Sequence, residues 1–340
     1  MIAKLTNVLA DLSVDEPINW NRMRLHPLRL RAPGDLEYLT LGDSGCEGLV
    51  TVEETSAYGT VPELRVCNRS KCCLFIPEGS TLIGAKQNRI VNISILLAPE
   101  SVTIIPVSCV ERGRWQMQAL HFAAGGFADS PLRAKMCKSA TEGLKRGGKV
   151  QVNQGEVWSH VDGMLHGAGA FSSTAAYHAL YEKWQPELAE FQAKFRLPET
   201  ACGVAVEIDG ALQAVDLFDK PQTLHKLWPR LASSYLLASL RSGSFQGKKT
   251  EVRSFLERVF QTHGESYEPA GIGTTVRLAN HEAVGAALVC DEHLVHLSVF
   301  ADETAAPPRA APTSSPAPGN PSPSGPTQVR RPRPWWRLWA

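Results

Sequence analysis

The sequence predicts an α+β protein, and three observations carry that prediction. Short Val- and Ile-rich runs, broken by Gly, Asn, Ser and Pro, recur up to about residue 128. Segments with apolar residues at helical spacing fill 129–200. From residue 201 strand-like and helix-like segments occur together. The expected organisation is a β-sandwich or barrel-like module over 1–128, a helical segment over 129–200 packed on it, and an α+β module over 201–300. A disordered Pro-rich tail over 301–340 completes it.

Residues 1–35, with Pro17, Pro27 and Pro33, read as a lead-in that holds a first strand at 26–30. Strands follow at 36–41, 48–53, 61–67 and 72–77. The apolar runs 90–97 and 102–110 flank a turn-like break at Ala98-Pro99-Glu100-Ser101, which predicts an antiparallel hairpin. A period of two puts Val91, Ile93, Ile95 and Leu97 on a buried face and Ile90, Asn92, Ser94 and Leu96 on the other. Pro106 has no N–H to donate, so the second strand is expected at an edge or with a bulge.

A helix over 131–146 follows Asp129-Ser130, an N-cap with Pro behind it. Its Arg133, Lys135, Lys138, Lys145 and Arg146 read as a solvated basic face, with an anion site as the alternative. In a helix over 154–165, Trp158, Val161 and Leu165 share a core-facing stripe. Ser172-Ser173-Thr174 caps a helix over 175–195, which Pro186 kinks or divides. Asp209-Gly210 between 203–208 and 211–218 is a strong hairpin signal. Helices over 222–241 and 250–263 precede a meander of strands at 273–278, 283–290 and 293–300. His293 and His296 are three apart in a strand and face opposite sides, which disfavours a shared metal ion.

The candidate site lies at the ends of the hairpin strands. Lys86, Gln87, Asn88 and Arg89 precede the first; Glu111, Arg114 and Trp115 follow the second. In a hairpin both groups fall at one end of the sheet. Amides and guanidinium forks there suit oriented recognition of phosphate, ribose or carboxylate. Equally, Glu111 with Arg89 or Arg114 reads as a sheet-end ion pair, and Gln87-Asn88 as a turn.

Composition narrows the classes. With 43% hydrophobic residues among 340, the chain can bury a sizeable core. A formal net charge of +1 gives no global sign for a nucleic-acid partner. No apolar window reaches the length of a membrane-spanning helix, about 18 residues, and the N-terminal stretch lacks the apolar core of a signal peptide. The eight cysteines form no C-x-x-C pair, which suits a reducing, cytoplasmic setting with inert buried thiols; Cys109 beside the polar cluster is read the same way, with a nucleophile as the alternative. No phosphate loop, dinucleotide fingerprint, nucleophile elbow or zinc motif occurs, so no cofactor and no metal site are expected. At the C-terminal tip Arg330, Arg331, Arg333 and Arg337 interleave with Trp335, Trp336 and Trp339. That pattern reads either as an unordered end or as a weak contact for an anionic membrane surface or a protein groove.

GAKQNRI at 84–90, VSCVERGRW at 107–115 and QGEVW at 154–158 together resemble the bacterial ARG-and-rhodanese-phosphatase-superfamily-associated protein domain family over about residues 20–300. The family name records association with ADP-ribosylglycohydrolases and rhodanese-phosphatases. The resemblance therefore implies a role near ADP-ribose or nucleotide chemistry. It carries over no catalytic residue, only the motif positions Gln87, Asn88, Arg89, Glu111, Arg114 and Trp115, with Gln154 and Trp158 beside them.

Three functions compete. The first is a binding module for an anionic nucleotide-like ligand such as ADP-ribose, with Arg89 and Arg114 on phosphate, Gln87 and Asn88 on ribose or base, and Trp115 stacking. In the second, a hydrolase or transferase acts on such a ligand with Glu111 as general base. The third is a structural partner of another protein, with the cluster as ion-pair scaffolding. One obvious carboxylate and no metal motif rank binding above catalysis.

Overall fold

Alternation of apolar residues becomes sheet over most of the predicted runs. A computed structural model describes residues 2–56, 58–240, 251–262, 264–291 and 293–301. Residues 1–305 cluster as one unit; the predicted disordered tail and its Arg- and Trp-bearing tip lie outside the described residues.

Helix α1 (Ile2–Asp11) is followed by β1 (Leu12–Val14), β2 (Ile18–Trp20) and β3 (Met23–Leu30). Next come β4 (Tyr38–Thr40), β5 (Val50–Glu54), β6 (Glu63–Asn68), β7 (Cys73–Ile76), β8 (Ser80–Gly84), β9 (Arg89–Val91), β10 (Ile95–Leu97), β11 (Ser101–Cys109) and β12 (Phe122–Phe127). Four helices follow: α2 (Ser130–Gly147), α3 (Gln154–Ala168), α4 (Ala179–Lys183) and α5 (Gln185–Lys194). The chain then forms β13 (Gly203–Ile208), β14 (Ala211–Phe218), α6 (Pro221–Ser239), α7 (Val252–Phe260), β15 (Glu265–Tyr267), β16 (Thr274–Ala279), β17 (Ala283–Cys290) and β18 (His293–Ala301). The fold is α+β, as the sequence predicts.

Among the described residues three sheets result. The six-stranded sheet runs β12-β8-β9-β11-β6-β5 and the three-stranded one β10-β7-β4. Leu74, Ile76, Ile95 and Leu97 of the small sheet share one apolar cluster with Val52, Val66, Leu82 and Val107 of the larger. The nine-stranded sheet runs β1-β3-β13-β14-β18-β17-β16-β15, with β2 also on β3. Thus β3 pairs with β13, Leu28 opposite Gly203, and the early strands complete a sheet built mostly after residue 200. Asp209 at φ 54° and Gly210 at φ 79° turn β13 into β14, the left-handed pair that a two-residue hairpin requires.

The predicted strand over 90–97 is two strands in different sheets, β9 and β10. The polar residues between them are the reason. Asn92 accepts from the Ser108 hydroxyl at 2.8 Å, and Ser94 Oγ accepts the Glu78 N–H at 3.1 Å. These side-chain bonds replace the ladder where the chain crosses between sheets. No face of this run meets solvent: Val91, Ile93, Ile95 and Leu97 enter one core, while Ile90 and Leu96 enter two others. Pro106 sits where β11 exchanges β6 for β9 as its partner, so the missing N–H falls at a change of ladder within the sheet.

The α2 cap is as predicted: Asp129 accepts from Leu132 N–H. Its face is not uniformly solvated, however. Arg133 is buried and bound to Asp216 of β14. The helix expected over 175–195 starts later, at Ala179, and divides at Trp184, with Pro186 in the first turn of α5. Ser172 Oγ accepts from Ala176 N–H, and the Thr174 hydroxyl is drawn to Glu111 instead of capping a helix.

Candidate functional site

Strand pairing brings the two polar groups together. Cys109 of β11 lies opposite Arg89 of β9, so the residues before β9 and after β11 share one sheet end. Side-chain bonding then divides them into a clamp and an incompletely bonded cluster.

The clamp is Glu111 with Arg114. Arg114 Nε donates to Glu111 Oε1 at 2.9 Å and Nη2 to Oε2 at 2.7 Å. The Thr174 hydroxyl donates to Oε1 at 2.8 Å and the Asn88 N–H to Oε2 at 3.0 Å. Arg114 also donates to the carbonyls of Gly84, Ala85 and Gln116 and to Asn88 Oδ1. Burial favours the protonated form of Glu111, but the bonds from Arg114, Thr174 and Asn88 outweigh it and hold the carboxyl below its ordinary value. Each oxygen accepts two hydrogen bonds, so the carboxylate is committed to holding the loop at 84–88 against the one at 111–116. A general base must reach substrate, and here all four bonds run to donors of the protein itself.

Gln154, at the start of α3, grips the same strand end. Its amide donates to Cys109 O at 2.8 Å and accepts from Cys109 N at 2.7 Å, as a neighbouring strand would. Trp158, one turn on, has a buried indole N–H without a hydrogen-bond partner among the described residues.

Lys86, Gln87, Arg89 and Trp115 form the second group. Arg89 is fully buried, and its Nη1 donates to Gln87 Oε1 at 2.6 Å. Its Nε and Nη2 have no oxygen or nitrogen partner among the described residues; the Cys109 thiol is the polar group beside them. Glu54 Oε1 lies 3.8 Å from Nη2, and neither oxygen of Glu54 accepts a hydrogen bond there. Burial lowers the Arg89 guanidinium from its ordinary value, against the opposing pull of Cys109 and Glu54. The Trp115 ring, 48% exposed, has the Arg89 guanidinium 5.5 Å and Lys86 Nζ 5.4 Å from its centre. Gly59 lies against Glu54 and Lys86; a Cβ there would come within 3.0 Å of Glu54 Oε2. The result is a buried cation and a buried anion, each with unused bonding capacity, under a partly exposed aromatic ring.

Sequence reasoning missed Glu54, although a signal was present. Val50, Val52 and Glu54 share one phase of β5, so a carboxylate stands where the alternation calls for an apolar residue. A second buried network was also missed. Asp216 accepts from Arg133 and from the Tyr235 hydroxyl and contacts His296 Nε2 at 3.2 Å, while His296 Nδ1 meets Ser94 Oγ at 2.7 Å. Every member is buried. The order Ser, His, Asp resembles a nucleophilic triad, but Ser94 is enclosed and Asp216 is saturated, so its evident work is to join β14, β18 and α2. His293 faces elsewhere, 3.5 Å from Asp35. Among the described residues no group of His, Cys, Asp and Glu could hold a metal ion, and no helix is long and apolar enough to cross a membrane.

One family description, that of the ARG and Rhodanese-Phosphatase-superfamily-associated Protein domain, matches residues 11–300, a span that includes every residue of both groups. No curated protein and no solved structure matches the chain.

Proposed function

The chain belongs to the ARG and Rhodanese-Phosphatase-superfamily-associated Protein domain family, and we propose that it is a binding module for an anionic, nucleotide-like ligand such as ADP-ribose. The observation that carries this reading is the facing pair Arg89 and Glu54, both buried with polar atoms unbonded among the described residues, below Trp115. Buried polar atoms left unbonded are costly, and each calls for a missing partner. A phosphate beside sugar hydroxyls meets both needs. Its oxygens accept from Arg89 Nε and Nη2, while a hydroxyl donates to Glu54. Trp115 offers a ring for stacking, and Lys86 adds positive charge at the rim. The Glu111–Arg114 clamp does not take ligand in this reading; it sets the two loops that carry Lys86, Gln87 and Trp115.

Thermal melting of the protein with ADP-ribose, AMP, ribose 5-phosphate and inorganic phosphate tests the proposal. A ligand at a hundred times its Kd stabilises by about 2.7 kcal/mol. The melting point should rise with ADP-ribose in the wild type and stay put in Arg89→Gln. No shift with any of the four compounds, or equal shifts in the variant, rejects it.

A further inference from the structure

A second cavity lies on the helical side of the molecule. It has a volume of about 300 Å³ and is bordered by α2, α3, α4 and α6. Its polar end holds Lys135, Ser159 and His160, and its walls include Met164, Trp184 and Leu237. The only charged or titratable side chains lining it, among the described residues, are Lys135 and His160.

His160 is tied from behind. Its Nε2 lies 2.9 and 3.0 Å from the two oxygens of Asp129, which is fully buried. The Tyr177 hydroxyl donates to Asp129 Oδ2 at 2.9 Å, and Leu132 N–H to Oδ1 at 3.2 Å. Burial alone would raise the Asp129 carboxyl; the charge and bond of His160, with the bonds from Tyr177 and Leu132, bring it below its ordinary value. With Asp129 as the acceptor, Nε2 carries the ring proton, which leaves Nδ1 as an acceptor. The other nitrogen, Nδ1, lies 3.3 Å from Lys135 Nζ. The cavity thus has the Lys135 ammonium at one end, donating to a His160 ring that Asp129 anchors from behind, and apolar walls beyond.

We propose that this cavity binds a small amphipathic carboxylate, with the anion on Lys135 Nζ and the apolar chain along Met164, Trp184 and Leu237. An acid with a short chain fits best, because the volume stands at the lower end of the usual ligand range, about 300–1,000 Å³. The Lys135 ammonium, held in place by His160, supplies a point charge that favours an anion over the alcohol of the same length. The site is separate from the Arg89 cluster and stands whether or not that cluster binds nucleotides.

Octanoate and 1-octanol serve as probes, with isothermal titration calorimetry as the readout and circular dichroism to confirm folding. Two variants separate charge from space. Lys135→Met removes the exposed cation. Gly163→Leu fills the cavity from α3, where an added Cβ meets nothing within 4 Å. The expected result is saturable octanoate binding to the wild type, at least tenfold weaker binding to Lys135→Met, and none to a folded Gly163→Leu. No saturable binding to the wild type overturns the proposal. So does equal affinity in both variants, or 1-octanol binding as tightly as octanoate.

Discussion

Arg133 and Asp216, 83 residues apart in the chain, meet as a two-pronged ion pair at 2.9 and 2.5 Å with neither side chain in contact with water. Burial penalises both charges. Asp216 is nonetheless held far below its ordinary range by Arg133 and His296, and Arg133 is raised by the facing charge. The Arg133 guanidinium also lies 4.9 Å from the centre of the Phe300 ring.

Asp216→Asn is therefore expected to destabilise the protein by about 3–5 kcal/mol, because it strands a buried guanidinium. The double variant Arg133→Met with Asp216→Leu should recover most of that loss, since apolar side chains of similar volume can replace a buried pair. Urea unfolding of Asp216→Asn, of Arg133→Met and Asp216→Leu singly, and of the double variant measures it. A double variant weaker than the sum of the singles would show that Tyr235 and His296, left unpaired, decide the outcome.

Glu111→Gln should lower stability by a similar amount, about 3–5 kcal/mol, since Arg114 is buried and bonded to both carboxylate oxygens. Its effect on ligand affinity should follow from loop disorder alone. Arg114→Lys should not rescue the fold, because an ammonium cannot reproduce the fork. Thermal melting checks both, and unchanged melting in Glu111→Gln would remove the clamp role.

Asp219 has the opposite pH signature. Its Oδ1 accepts from Tyr38 and Thr223 hydroxyls, but Oδ2 is buried with no hydrogen-bond partner among the described residues. Burial raises its carboxyl, against the pull of Tyr38, Lys220 and Thr223. A carboxyl whose folded value exceeds its unfolded one binds more protons when folded, so it lowers stability as pH rises through that window. Asp219→Asn should gain on the wild type as pH rises above about 4. Asp129, Glu111 and Asp216 are depressed, so their contribution is present above about pH 4 and fades as acid reaches them. Melting curves at pH 4, 5, 6 and 7 for both proteins test the sign; a constant difference rejects it.

Gly79→Ala should be poorly tolerated. Its φ is 79°, and a Cβ there would lie 2.8 Å from Cγ and Cδ of Arg133. The cost, about 1–3 kcal/mol for left-handed strain, adds to any displacement of the buried guanidinium. A melting point within a degree of wild type would show that Arg133 can move aside.

Trp115→Ala should leave the melting point almost unchanged, because nearly half of the ring is exposed. It should still weaken ADP-ribose binding by roughly tenfold if the ring stacks on the ligand. Equal binding by fluorescence-independent calorimetry would remove Trp115 from the site.

The sequence by itself determined the class and most of the elements. Local signals are strong where they depend on near neighbours: Asp209-Gly210 makes its hairpin, Asp129 caps α2, and Pro186 divides the helical stretch near Trp184. The common sheet end of Arg89 and Glu111 was also legible, since antiparallel pairing follows from two apolar runs and a turn. Tertiary structure decided the rest. Whether Glu111 is a base or a clamp depends on Thr174, 63 residues away, and on Arg114 turning inward. Whether Arg133 is solvated or buried depends on Asp216 in β14, 83 residues further along the chain. Charged side chains have no intrinsic side of the molecule: water and a buried counter-charge can both satisfy them, and only the packed chain shows which one they meet.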